Sequence, residues 1–147
     1  MGLSAEPGPP TADRPYVGDM RISVVLDCHD PKSLVEFWST AMGYRTAGSL
    51  TQFEVLVPAE GEPAGPVLIL QQVEEHKAGK NRMHIDIHPP LELGVPALVA
   101  QLEKLGGRRV GEPVTELLDE IGVWWQLMLD PEGNEFDLVA DPGHDAP

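Results

Sequence analysis

Residues Asn81-Arg82-Met83-His84-Ile85-Asp86-Ile87-His88-Pro89-Pro90 place three titratable side chains at alternate positions. Met83, Ile85 and Ile87 are apolar, and His84, Asp86 and His88 are polar. A period of two predicts a β-strand with one dry face and one face carrying imidazole, carboxylate and imidazole. Pro89 and Pro90 end it, because proline brings no N–H to a ladder. Side chains of these types, pointing the same way, can ligate a metal, move protons or simply meet water. His88 is expected on the solvated end of the strand, and Asp86 is the candidate general base.

The elements that must position these groups come from the rest of the chain. Arg21–Cys28 alternates as a strand, with Ile22, Val24, Leu26 and Cys28 on one face and Ser23, Val25 and Asp27 on the other. Asp30-Pro31 predicts a helix start, with the carboxylate as N-cap and proline in the first turn. Leu34, Phe37, Trp38, Ala41 and Met42 then recur at helical spacing, and Gly43 is a natural stop. Strands are expected over Tyr44–Leu50, Gln52–Pro58 and Val67–Val73, with a polar linker over 74–80. The order then repeats. Leu91, Val95, Leu98, Leu102 and Leu105 form a second helical stripe that Gly106-Gly107 ends. Strands are expected over Arg109–Glu116, Val123–Leu129 and Glu135–Ala140, the last two joined by the turn Asp130-Pro131-Glu132-Gly133-Asn134.

The predicted fold class is therefore α+β: two βαβββ modules related by pseudo-twofold symmetry, over residues 19–80 and 81–140. Their curved mixed sheets surround a cleft, and the helices cover the outer faces. Residues 1–18 carry four prolines and three glycines and read as a flexible tail, with Tyr16 and Val17 the residues able to dock; 141–147 reads as a frayed end. Laying one half on the other pairs Ser23 with His84 and Gln71 with Asp137. A site is expected where the halves meet.

The balance of 24 acids against 10 bases gives a net charge of −14. This argues against nucleic acid, whose phosphates need a basic footprint, and against an anionic membrane surface. It favours a cationic guest by steering. A single cysteine, Cys28, leaves no internal disulfide framework; it falls on a dry strand face and is expected to be packing. No apolar run nears the ~20 residues of a membrane span. The start has no basic-then-apolar pattern, so the expected location is cytoplasmic.

The double βαβββ pattern resembles the vicinal oxygen chelate superfamily, which includes glyoxalase I, extradiol dioxygenases, fosfomycin-resistance proteins and bleomycin-binding proteins. The likeness rests on Asp30-Pro31 leading to Phe37-Trp38 and Met42-Gly43-Tyr44, on Arg82–Ile87, and on Asp130-Pro131-Glu132-Gly133-Asn134-Glu135-Phe136-Asp137-Leu138. It spans about residues 20–140. The small glyoxalase-like domain proteins of bacteria are the most similar branch, sharing the strand that contains Gln71, the Lys80-Asn81-Arg82 lead-in and His84-Ile85-Asp86.

The resemblance implies a divalent metal (Zn, Ni, Mn or Fe) on His84, Asp137 and Gln71, with Lewis-acid lyase, isomerase or dioxygenase chemistry. Ser23 stands at the fourth ligand position, where a hydroxyl is a poor donor, and Gln71 replaces a carboxylate. The alternative is metal-free sequestration of a small molecule, as in the bleomycin-binding relatives; a third reading is metal-free acid–base chemistry by His84 and Asp86. Ser23, Gln71, Trp124 and Phe53 are assigned to ligand binding. Trp124 and Trp125 must face opposite ways, one to a core and one to the cleft or an interface. The resemblance also implies a homodimer.

Overall fold

The computed structural model describes residues 21–147. The expectations for residues 1–18 lie outside the described residues.

The first helix begins where its residues require. Asp30 Oδ1 accepts the Ser33 N–H at 3.3 Å, Pro31 occupies the first turn, and Gly43 closes the helix at φ 65°. This helix, α1 (Pro31–Met42), follows strand β1 (Ser23–Cys28). β2 (Tyr44–Leu50), β3 (Phe53–Pro58) and β4 (Val67–Gln72) form an antiparallel meander that brings β4 back parallel to β1. The second half repeats the plan with β5 (Asp86–Ile87), α2 (Val95–Lys104), β6 (Arg108–Arg109), a short helix α3 (Leu118–Ile121), β7 (Trp124–Leu129) and β8 (Glu135–Ala140). The sheet orders are β1-β4-β3-β2 and β5-β8-β7-β6. The predicted α+β fold of two βαβββ halves is what forms.

Each helix buries its apolar stripe on its own sheet, and the two layers merge into one core. Leu34, Phe37 and Trp38 of α1 meet Leu56, Leu68 and Leu70 in the first half. Leu98 and Leu102 of α2 join Met128, Phe136 and Leu138 in the second. The seam is aromatic: Phe136 stacks edge-on against Phe37 with centroids 5.7 Å apart, and tilts against Trp38 at 5.0 Å. Burying each such side chain contributes about 1.5–3 kcal/mol, and an aromatic pair adds roughly 0.5–1.5 kcal/mol. α2 ends tightly against this seam. A Cβ at Gly107 would stand 2.7 Å from Phe37 Cε2 and 2.9 Å from the Leu102 carbonyl oxygen, so only glycine fits.

The loop between β7 and β8 locks the halves together. Asp130, fully buried, accepts the N–H groups of Glu132 and Asn134 on Oδ1, each at 2.9 Å. Its Oδ2 accepts the Asn134 amide at 2.9 Å and the Trp38 indole N–H at 3.1 Å. Glu132 reaches the other way, accepting the backbone N–H groups of His29 at 2.6 Å and Asp30 at 3.1 Å, just before α1. Gly133 takes the positive φ, 86°, that the turn predicts.

Four expectations need correction. The strand anticipated over Asn81–His88 is a ladder only at Asp86–Ile87. Ahead of Asp86 the segment runs along the cleft beside the start of β8, and the ladder goes no further than the Asp137 N–H donating to the Ile85 carbonyl at 3.0 Å. The strand anticipated over Arg109–Glu116 is reduced to Arg108–Arg109 and one bridge between Val114 and Trp125, because Gly111 (φ 67°) and Pro113 break it. The Gln126 amide bonds the freed Val110 and Gly111 carbonyls, each at 3.3 Å. The end expected to fray folds back instead: the Trp124 indole N–H donates to the Asp145 carbonyl at 3.0 Å, and His88 Nδ1 pairs with Asp141 at 3.0 Å. Finally, Trp124 does not face the cleft. It lies in the helix-covered core at 3% exposure, and Trp125, half-buried, takes the opposite face.

Candidate functional site

Strand register decides which side chains share the inner faces. In the first sheet Ser23, Val25 and Asp27 pair with Val67, Ile69 and Gln71, and Gln71 pairs with Phe53. In the second sheet Asp86 pairs with Asp137, which pairs with Leu127. The core residues Leu68, Leu70, Phe136 and Leu138 alternate with these, so the paired groups lie opposite the helices.

A cleft of about 920 Å³ opens between β1 and the segment Asn81–Ile85. Ser23 and His84 both line it, as the symmetry argument expects. Its walls are apolar at Ile22, Val25 and Met83, all exposed, and it reaches inward to Trp38 and Asn134. Gln71 and Phe53 do not line this cleft; they stand together on the inner face of the first sheet, one and two strands in from its edge.

His84 Nε2 lies between two carboxylates, 3.2 Å from Asp86 Oδ1 and 3.3 Å from Asp137 Oδ2. Parallel pairing of β5 with β8 puts the two aspartates side by side. Alternation brings His84, two residues back, to the same face. Asp137 is the sheltered member, with its side chain 13% exposed, and its Oδ1 is buried with no hydrogen-bond partner. Burial pushes its carboxyl above the usual aspartate range. His84 opposes that shift, Asp86 reinforces it, and Lys80 opposes it.

The lead-in to His84 is tied to β8. Lys77 Nζ donates to Glu135 at 2.9 Å, and the Asn81 N–H donates to the same carboxylate at 3.0 Å. Burial works against the ionised Glu135, but these donors prevail and hold it below the usual glutamate range. At the far end of the cleft, the rings of His29 and His76 approach to 4.3 Å between centroids, and His29 Nε2 bonds the Glu75 carbonyl oxygen at 3.0 Å. The two histidines come from a strand end and a linker, and they meet only through tertiary folding. Cys28, by contrast, is buried as expected, and burial pushes its thiol up to about 12.

The donor set suits a divalent ion. One imidazole nitrogen and two carboxylate oxygens lie within 4.8 Å of one another, a mixed N/O set of the kind that holds Zn, Mn, Fe or Ni. The unpartnered Asp137 Oδ1 and the two neighbouring negative charges both ask for a cation. Loaded, His84 would offer Nε2 and the aspartates their oxygens.

Residues 23–139 match the family model of the glyoxalase-like domain. The chain belongs to that family. With it comes membership of the vicinal oxygen chelate superfamily, and solved structures agree on the fold. A genomically encoded fosfomycin resistance protein from Listeria monocytogenes superposes with a TM-score of 0.64 at 15% identity, covering 87% of this chain and 96% of its own. A glyoxalase/bleomycin resistance protein/dioxygenase family enzyme from Burkholderia phytofirmans PsJN gives 0.59 at 14%, covering 80% and 95%. One such protein from Nocardioides gives 0.59 at 17%, covering 90% of each chain. No curated protein matches the sequence. Among the described residues, no helix is long and apolar enough to cross a membrane.

Proposed function

We propose that this glyoxalase-like protein binds a small organic molecule in the cleft between its halves and acts on it with the help of a divalent metal ion. The observation that carries this reading is His84 on the cleft wall, flanked by Asp86 and Asp137. A bound ion would supply Lewis acidity to oxygens of the guest. The chain's own residues do the rest. Ile22, Val25 and Met83 take the apolar body of the guest, and the deep end near Trp38 limits its length. Glu132 and Glu135 are committed to backbone and lysine donors, whereas Asp27 and Glu75 also line the cleft, so a cationic group on the guest is favoured.

One observation favours a second reading, sequestration without metal: the first half brings no strong donor, since Ser23 is a hydroxyl and Gln71 an amide. Elemental analysis of protein purified without chelators, with native mass spectrometry on the same sample, separates the two. Stoichiometric Zn, Ni, Mn or Fe supports metal-assisted chemistry. An organic guest without metal supports sequestration, and neither metal nor guest contradicts both.

The open edge strand β2, with Leu50 exposed on it away from the cleft lining, supports a homodimer. Light scattering at twice the 16.0 kDa chain mass is the expected result, and a monomer at micromolar concentration contradicts it. The free, buried Cys28 agrees with a reducing, cytoplasmic setting.

A further inference from the structure

From the register of the second sheet we infer that the metal site lies wholly within the second half, with Asp86 as third ligand in place of Ser23 and Gln71. The inference rests on the proposed metal at His84, and deepens it.

Three observations lead there. First, Asp86 and Asp137 are register partners in a parallel pair, so their side chains leave the sheet on one face, next to each other. Like charges set directly across two strands are unfavourable, and a cation between them reverses the sign of that term. Second, Asp137 Oδ1 is shielded from solvent and has no partner, while Oδ2 already faces His84. A buried carboxylate oxygen without a donor is a place for a ligand. Third, the first half is poorly placed to contribute. Gln71 stands in the other sheet, in register with Asp27 and Phe53, and its amide is a weaker donor than a carboxylate. Ser23 lines it but offers only a neutral hydroxyl.

Two consequences follow. Asp86, as a ligand, is no longer free to act as general base, so any proton acceptor must come from the guest, from water or from another cleft group. The first-half wall, relieved of metal binding, is left to select the guest.

The test is Zn²⁺ binding by the full, chelator-stripped chain, followed by calorimetry, with Co²⁺ absorption in the visible as a second readout of the coordination sphere. Asp86→Asn is nearly isosteric at an exposed position, and urea unfolding checks that it remains folded. It is expected to weaken Zn²⁺ by at least about tenfold, the loss that even an outer partner of a metal ligand brings, and to alter the Co²⁺ bands. Asp137→Asn is expected to do the same. Ser23→Ala and Gln71→Ala should stay within about twofold of the parent, the scatter expected of uncoupled sites. If either first-half variant loses as much as Asp86→Asn, the site is shared and the inference falls. If Asp86→Asn binds as the parent does, it also falls. A parent chain that takes no Zn²⁺ or Co²⁺ overturns it too, while guest binding in native mass spectrometry would then keep the cleft as a binding site. Intact metal binding with no guest overturns the small-molecule reading alone.

Discussion

Replacing Asp130 by Asn changes one atom of a buried group that four donors converge on. Oδ1 can keep accepting the Glu132 and Asn134 N–H groups. The other oxygen becomes an NH₂ facing the Trp38 indole N–H and the Asn134 amide, which are both donors. Two hydrogen bonds to a charged acceptor are lost, each contributing about 1.5–3 kcal/mol. Buried donors are left facing one another as well. Because the two bonds share an acceptor they do not add fully, and the expected loss is about 3–5 kcal/mol. That is a large part of the roughly 5–15 kcal/mol that holds a domain of this size. With a urea slope of about 1–3 kcal/mol/M, the midpoint should fall by roughly 2 M. Trp38 fluorescence reports the same event locally. Trp38→Phe removes one of the donors, so the double variant should lose about 1–3 kcal/mol less than the sum of the singles. A loss below about 0.5 kcal/mol for Asp130→Asn, the level of an ordinary surface change, would refute the claim that this carboxylate locks the halves together.

Gly107→Ala should cost about 1–3 kcal/mol in urea unfolding, because its Cβ meets the Phe37 ring and a backbone carbonyl; an unchanged midpoint contradicts the close approach. Asp137 binds its proton more firmly folded than unfolded, so its ionisation costs stability. That cost is absent below the ordinary value of 3.8, grows as pH rises through the window above it, and is complete once the pH passes the raised value. Metal-stripped Asp137→Asn should therefore be more stable than the parent near pH 7, with the advantage shrinking as pH falls through the raised value and gone below 3.8; a variant less stable at pH 7 contradicts this. Cys28, with its thiol near 12, should react with a disulfide reagent at pH 8 more than about 100-fold slower in the folded chain than in urea, and equal rates would contradict its burial.

Much of the fold was legible because its signals are local. Asp30-Pro31, the Leu34–Phe37–Trp38–Ala41 stripe and Gly43 describe α1 without reference to any other residue. Alternation put Phe136 and Leu138 inward and Asp137 outward, and the internal repeat brought His84 to the same cleft as Ser23. What was not legible depends on long-range geometry. Alternation says that Trp124 and Trp125 diverge, but the face that meets α2 is set by the register of β7 against β8. Asp86 stands beside Asp137 because of that same sheet's parallel pair, which the sequence repeat did not specify to the residue. The turn Asp130–Asn134 was readable as a turn. Its second task, bonding Trp38 and the backbone ahead of α1, joins residues distant in the chain. The short α3 escaped because four residues carry too little periodicity to be seen.

The central claim is that His84, Asp86 and Asp137 form a cation site that meets a small-molecule cleft at His84. Anomalous diffraction from crystals of the full chain grown with Zn²⁺ or Mn²⁺ tests it most directly. The account predicts one strong peak about 2.0–2.2 Å from His84 Nε2 and from an oxygen of each aspartate. Crystals with no peak there, and His84 still lying between the two carboxylates, would contradict it.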